Sequence, residues 1–419
     1  MTTRKAFLKN SGLALFGIGI GGVPGFIKAA ALNQHKIGTV QGKHVLVCIF
    51  QRGAMDGLMA VTPFNDNYLK AARPTLFEAP TAGSNVIDLD GNYALHQGFK
   101  AFESLYRKKQ LAIVHGIGSP NTTRSHFDAQ DYMESGTPFA KGTPSGWLNR
   151  VVGLTPKNNT PFKAVSLTTS LPRSLYGNNP SIAINNLADF NVQLKGNKAG
   201  ANLAAKSLEE LYDNATSDLL KTTSKESFDA IKILQQTTNK KYQPANGAVY
   251  PVSALGSALQ QIAQLIKMDV GLEVAFAEHG GWDTHVNQVT QFARNATDLS
   301  TSIAALWQDL GTQQQQVTIM TMTEFGRTVK QNGTNGTDHG RASCNFILGA
   351  NVVGGKVYGT LPQLSTNNLA DGRDLPVTTD FRTVFNEVAT KHLYLLKNNI
   401  LFEGYEAKQL GVLSSVINN

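Results

Sequence analysis

Cysteine is nearly missing from this sequence: the 419 residues contain two, Cys48 and Cys344. Two thiols cannot make a disulfide framework in so long a chain, which must be held by a core instead. Cys48 lies inside an apolar run and reads as a buried free thiol, with a Cys48–Cys344 bridge as the alternative. Charged residues are sparse too, at 16% against 41% hydrophobic, a balance that suits one large domain or two closely joined ones. The formal net charge of +8 is concentrated at the start, where Arg4, Lys5, Lys9 and Lys28 supply half of it. What remains is too small an excess to argue for a nucleic-acid partner. A Gly-rich phosphate loop, a dinucleotide fingerprint and internal repeats are all absent, and the one low-complexity block is Gln313–Gln316.

The first 31 residues have the anatomy of an export signal: a basic start, a Gly-rich apolar stretch from Leu13 to Ile27, and Ala29-Ala30-Ala31 as a small-residue cleavage site. The run TTRKAFLK resembles the twin-arginine signal, with Lys5 in place of its second arginine. Glycines and Pro24 break the apolar stretch, which falls short of the roughly 20 residues a membrane-spanning helix needs. The expectation is an exported protein of the periplasm or cell envelope. Its partners then include the export machinery, with a membrane only if the leader stays uncleaved.

From residue 32 onward the pattern alternates. His44–Phe50 is the continuous apolar, β-branched run of a central parallel strand, followed by the turn Gln51–Gly57. A helix over 96–109, a strand over 111–115 and a helical pattern from Ser125 to about Glu134 come next. Strands are expected over 162–167 and 181–185, and a polar helical insertion over about 199–252 that borders the site or merely flanks it. A helix over 252–267, a strand over 273–277, a helix over 285–310 and a strand from Val317 follow. Residues 345–349 and a helix over 380–395 close the chain. The fold class is α/β, a mostly parallel sheet flanked by helices on both faces.

In such sheets, ligands bind beyond the carboxyl ends of the strands. The residues there form a constellation: Asp56 after the first strand, Asp283 and His285 in GGWDTH, Glu324 after the strand at Val317, and Asp338 and His339 in the Asn/Gly-rich loop that follows. Carboxylates and imidazoles converging from separate strands suit one or two divalent ions, zinc, manganese, magnesium or calcium, and a hydroxyl beside them becomes a nucleophile. Ser125 is the first choice, with Thr123 beside it. An extended backbone puts Asp283 and His285 on one side. Asp338 and His339 point apart, so His339 is expected to ligate and Asp338 to orient it. Arg52, Arg124 and Arg341 are candidate clamps for an anionic group. Each assignment has a plainer alternative: turn chemistry for Asp56, a helix cap for Ser125 or Asp283, and an ion pair with Arg327 for Glu324. His96, His115 and His126 are read as hydrogen-bonding residues rather than ligands.

With these residues in view, FQRGAMDGL, DLDGNYALH, SPNTTRSHFDAQDYMESGTP, GWLNR, FAEHGGWDTHVNQ, TMTEFGRTVKQNGTNGTDHG, GGKVYG and DGRDLPVTTDFR together resemble the exported family known as domain of unknown function 1501, in order from about His44 to His392. That family is similar in turn to the alkaline phosphatase and sulfatase superfamily. The resemblance implies an alkaline-phosphatase-like fold, with Asp56 matching the superfamily's first metal aspartate and Ser125 or a neighbouring threonine its nucleophile. Asp283 and His285 then match one Asp/His set and His339 the final histidine. Glu324-Phe325-Gly326 stands where Asp-His-Gly is usual, which removes an imidazole, and no Cys-x-Pro-x-Arg motif is present. The resemblance implies metal-dependent hydrolysis of phosphate or sulfate esters, with a small-molecule or polymer ester as the partner. The alternatives are a non-catalytic envelope module that keeps the fold, and a transferase of phosphoryl-linked groups.

Overall fold

A computed structural model of the protein describes residues 44–84, 86–156, 160–187, 242–395 and 401–414. The leader expected over 1–31 lies outside them, as does most of the insertion expected over 199–252. Among the described residues no helix is long and apolar enough to cross a membrane.

The first strand, β1 (Val45–Gln51), is buried at every position. Its alternating side chains feed two cores: Val45, Val47 and Ile49 point to one, Leu46, Cys48 and Phe50 to the other. A strand covered on both faces must be apolar throughout, which is why it reads as an unbroken run. The remaining strands of the main sheet are β2 (Leu111–Gly118), β3 (Ala164–Ser166), β4 (Ile182–Ala183), β5 (Val274–His279), β6 (Val317–Met322), β7 (Ser343–Gly349), β8 (Lys356–Tyr358) and β9 (Thr379–Asp380). Their order in space is β8-β2-β7-β6-β1-β5-β3-β4, with β9 beside β2.

β1 runs parallel to both β5 and β6. The exception to the parallel pattern is β7, antiparallel to β2 and β6. It follows β6 through a loop with no crossover helix, and without such a crossover the chain returns in the opposite direction.

Helices cover both faces. On one side lie α1 (Lys100–Arg107), α4 (Ala254–Met268) and α5 (Gln288–Leu310), burying Phe102, Leu259 and Leu299 among others. On the other lie α2 (His126–Ser135), α3 (Trp147–Leu154) and α6 (Phe381–His392), through Met133, Val151 and Val384. The fold is α/β with a mostly parallel sheet. Cys48 and Cys344 are free and buried and belong to different cores, so no bridge joins them.

Candidate metal centre

The carboxyl ends of β1, β5 and β6 meet the start of α2, and loops rather than strands carry the polar groups there. Thr323, one residue past β6, ties two strand ends together: its hydroxyl donates to the Gln51 carbonyl at 2.9 Å and accepts from Met55 N–H at 3.2 Å. Gly53 sits at φ +112°, and a Cβ there would lie 2.5 Å from the Asp283 nitrogen. That turn therefore has to be glycine for the β1 and β5 loops to touch. Gly326 accepts from Gly340 N–H and donates to the Arg341 carbonyl, both at 2.9 Å. A side chain at Gly326 would meet the Ala342 carbonyl, so its absence lets the 326–328 segment pair with 338–341 and set His339 opposite Arg327.

The Asn/Gly loop then docks on the stretch after β5. Asn287 and Gln288 donate backbone N–H groups to Thr334 and Asn335, and Thr337 donates to Thr284. Asp338 is thereby delivered to His285.

Three imidazoles and one carboxylate converge. His339 Nε2 lies 3.0 Å from His126 Nε2, 2.9 Å from His285 Nε2 and 3.2 Å from Asp283 Oδ1. His285 Nε2 is 3.0 Å from Asp283 Oδ1, and His126 Nε2 is 3.6 Å from Asp283 Oδ2. His126, Asp283 and His339 each offer a ligand atom within 4.8 Å of the others.

The far nitrogen of each ring faces an oxygen. His126 Nδ1 is 2.7 Å from Glu324 Oε1, His285 Nδ1 is 3.1 Å from Asp338 Oδ1, and His339 Nδ1 is 2.9 Å from the Arg124 carbonyl. Carbonyls and ionised carboxylates only accept, so the hydrogen of each neutral ring is assigned to Nδ1. The Nε2 lone pairs of His126 and His285 then each face that of His339, and all three face Asp283, an arrangement that a cation relieves. Donors at the corners of a tetrahedral zinc site, with Zn–N near 2.0–2.1 Å, stand roughly 3.3 Å apart. Five spacings, 2.9 to 3.6 Å, bracket that edge, and the most compact set of donors is His126, Asp283 and His339.

The electrostatics follow from the partners. Burial pushes the Asp283 carboxyl up, but Arg327, His285 and His126 outweigh it and leave it below its ordinary value. Arg327 is buried, donates Nη1 to Asp283 Oδ1 at 2.9 Å, and has no hydrogen-bond partner at Nε or Nη2. Glu324 is treated similarly: burial raises it, and donors from His126, Gln130 and Gly53 N–H bring it below the usual range. The hydrogen bond to Glu324 lifts His126 against burial, whereas burial lowers His339. The Asn332 hydrogen bond chiefly holds Asp338 down, with help from His285.

The other sequence-derived residues fall around this centre, and several differ from their expected roles. Asp56 is not on it. Its buried carboxylate caps the short helix Gly57–Ala60 through Leu58 and Met59 N–H, pairs with Arg73 at 2.9 Å and accepts from Gln288 Nε2 at 2.6 Å. Its lone pairs are spent on a guanidinium, an amide and two backbone donors, which leaves none for an ion. Glu324 stands behind His126 instead of among the Nε2 atoms, and it pairs with His126 rather than with Arg327.

Arg52 is held by Glu134 and Glu278, both at 2.5 Å, and Arg124 by Asp371 at 2.6 Å and Asp374 at 2.5 Å. Neither guanidinium is free to clamp an anion. Arg341 donates to the Pro120 carbonyl at 3.4 Å, and among the described residues no carboxylate pairs with it. Ser125 is exposed at the N-terminal end of α2, and its side chain makes no capping bond. Thr123 Oγ1 accepts from Ser125 N–H at 3.2 Å.

His126 was expected to be a bland hydrogen-bonding residue, and the structure brings it into the centre. The available signal was its place: a first-turn residue of a helix that follows a core strand faces the same crevice as the strand ends.

The model for the family described as protein of unknown function (DUF1501) matches residues 111–400, more than half of the chain. The chain belongs to this family. No curated protein matches this DUF1501 member. Among solved structures it is similar to the C-terminal periplasmic domain of EcEptC from Escherichia coli in complex with Zn, with 9% identity and a TM-score of 0.34 over 74% of this chain and 73% of that one. It is also similar to the PsFucS1 sulfatase from Pseudoalteromonas sp., with 11% identity and a TM-score of 0.38 over 90% and 72% of the two chains. The alkaline phosphatase from the Antarctic bacterium TAB5 matches with 10% identity and a TM-score of 0.27 over 74% and 93%. The chemistry of this DUF1501 chain has to come from its own side chains.

Proposed function

We propose that this DUF1501 protein is an exported, metal-dependent hydrolase of phosphate or sulfate esters. The observation that carries the reading is the convergence of His126, His285 and His339 Nε2 atoms on Asp283, each ring fixed through its other nitrogen. An imidazole-rich donor set favours zinc over manganese, magnesium and calcium, which prefer oxygen ligands. A divalent ion held there supplies a Lewis acid that draws charge from an ester oxygen and lowers the pKa of a nearby hydroxyl or water.

The chain's own residues have separable tasks in this reading. Glu324, Asp338 and the Arg124 carbonyl hold the rings in the Nδ1–H tautomer. Ser125, exposed and uncommitted as a cap, is the nucleophile between Arg124, whose carbonyl holds His339, and the ligand His126. Arg341 is the arginine left to receive an anionic group. The leader read from residues 1–31 carries the chain to the periplasm or envelope.

The experiment is elemental analysis of protein purified from the exported fraction, followed by a phosphate- and sulfate-ester panel with Ser125→Ala beside the wild type. Bound zinc or manganese with hydrolysis lost in Ser125→Ala supports the reading. A folded wild type without metal and without hydrolysis sinks it.

One observation favours a second reading. Arg52 and Arg124 are both neutralised by carboxylates, which leaves a thin supply of positive charge for an anionic ester. A metal-bearing binding module of the envelope fits that arrangement. Metal without turnover on any ester would select it.

A further inference from the structure

We infer that Asp374 is a positioning residue for the metal centre, acting through two arginines that grip His339 from opposite ends. This rests on the metal-centre reading above. Asp374 is fully buried. Its Oδ2 accepts from Arg124 Nε at 2.9 Å and Nη2 at 2.5 Å, and its Oδ1 accepts from Arg373 Nε at 3.0 Å.

Each arginine then reaches the same histidine. The Arg124 carbonyl takes the Nδ1 hydrogen of His339 at 2.9 Å, and Arg373 Nη2 donates to the His339 carbonyl at 2.9 Å. Ring and backbone of His339 are therefore fixed by two residues that share one anchor. The anchor is itself locked in the main chain: Asp374 exchanges backbone bonds with Ala370, and its neighbours Arg373 and Leu375 accept from Val329 and Ala342. That places the 370–375 strap along both sides of the His339 hairpin.

A buried carboxylate is tolerated when charge and hydrogen bonds satisfy it. Here the partners that satisfy it are also the ones that aim a ligand. Arg124 belongs to the loop that leads into Ser125 and His126, so Asp374 ties the start of α2 to His339 as well. Removing its charge leaves two guanidiniums with no common partner and Arg124 held by the exposed Asp371 alone, which loosens the Arg124 carbonyl at Nδ1.

The test is zinc affinity, read by competition with a chromophoric chelator, on full-length wild type, Asp374→Asn and Arg373→Met. The visible spectrum of the cobalt-substituted proteins is recorded beside it. Arg373 is partly exposed at its guanidinium, so Arg373→Met is the variant expected to fold normally should Asp374→Asn not. Loss of such an outer partner weakens metal affinity by about 10–100-fold. The expected result is a loss of that size in both variants, with a changed cobalt spectrum and an unchanged thermal midpoint for metal-free Arg373→Met. Wild-type affinity and an unaltered spectrum in both variants, beside a wild type that binds zinc, overturn the role of Asp374 alone. A wild type that binds no zinc overturns the metal reading and this inference with it.

Discussion

His126 Nε2 and His339 Nε2 approach to 3.0 Å although each ring directs its other nitrogen at an oxygen, Glu324 Oε1 for His126 and the Arg124 carbonyl for His339. Two neutral rings held in this way present lone pairs to each other, so the pair is stable only around a proton or a metal. If the centre holds metal as proposed, replacing either ring by alanine removes a ligand. The loss of zinc affinity in His126→Ala and His339→Ala is expected to exceed the about 10–100-fold that follows removal of an outer partner. Chelator competition on the two variants measures it, and full retention of metal in His126→Ala contradicts the assignment.

The pH dependence of metal binding follows from Glu324. Its hydrogen bond lifts the pKa of His126 above the ordinary value, against burial. Because the ring must be neutral to bind metal, protons begin to displace the ion above pH ~6.5, and affinity falls as pH falls. Glu324→Gln returns His126 toward its ordinary pKa, so affinity begins its fall at a lower pH, from a plateau at neutral pH that is itself weaker. Without metal the sign for the pair is different. The contribution through His126 is complete below its unfolded pKa of about 6.5 and disappears as pH rises through the raised folded value. That through Glu324 is present above about pH 4.3 and is lost as pH falls through its depressed value. Zinc competition between about pH 5 and 8, and urea unfolding of metal-free protein between about pH 3 and 8, test both statements.

Some of this was legible in the residues and some could not be. The apolar run at Val45–Phe50 announced a strand covered on both faces, and the spacing of Asp283 and His285 placed two polar groups on one side of an extended segment. The polar loop around His339 offered that ring nothing to pack against. The roles of Asp56, Arg52 and Arg124 depended on partners the local sequence does not reveal. Arg52 meets Glu134 and Glu278, and Arg124 meets an aspartate 250 residues away. His126 reads as a hydrogen-bonding residue, and its partner Glu324 is 198 residues distant, so its approach to His339 was equally hidden. The antiparallel course of β7 was hidden because a loop, not a helix, joins it to β6.

Asp56 separates a stability role from a metal role. Its carboxylate and Arg73 are each 1% exposed and 2.9 Å apart, and breaking a buried pair by removing one partner costs about 3–5 kcal/mol. Asp56→Asn is expected to lower the unfolding free energy, read from urea denaturation, by an amount in that range while metal content stays at the wild-type value. Elemental analysis of the folded variant checks this, and a second ion in the wild type that vanishes in Asp56→Asn would show that Asp56 holds metal after all.

Three buried histidines away from the centre set the response of the fold to acid. His115 donates Nε2–H to the Val61 carbonyl and accepts Gly116 N–H at Nδ1, both at 2.9 Å, a pattern only the neutral ring can make. His392 is placed likewise between the Val45 carbonyl and the Thr318 hydroxyl, and His96 accepts Gly98 N–H. Burial drives His96 and His115 down to about 4 and His392 to about 3. Above pH ~6.5 neither folded nor unfolded chain protonates them. Below it the unfolded chain takes up protons that the folded chain refuses, so stability declines as pH falls toward the folded values. Each ring contributes up to about 1.4 kcal/mol per pH unit in that window. Urea unfolding of metal-free protein at pH 7 and pH 5 should differ in this direction. His115→Gln, which keeps a donor for Val61 and cannot titrate, should flatten the slope by one ring's share. An unchanged slope in His115→Gln contradicts the assignment of acid sensitivity to these buried rings.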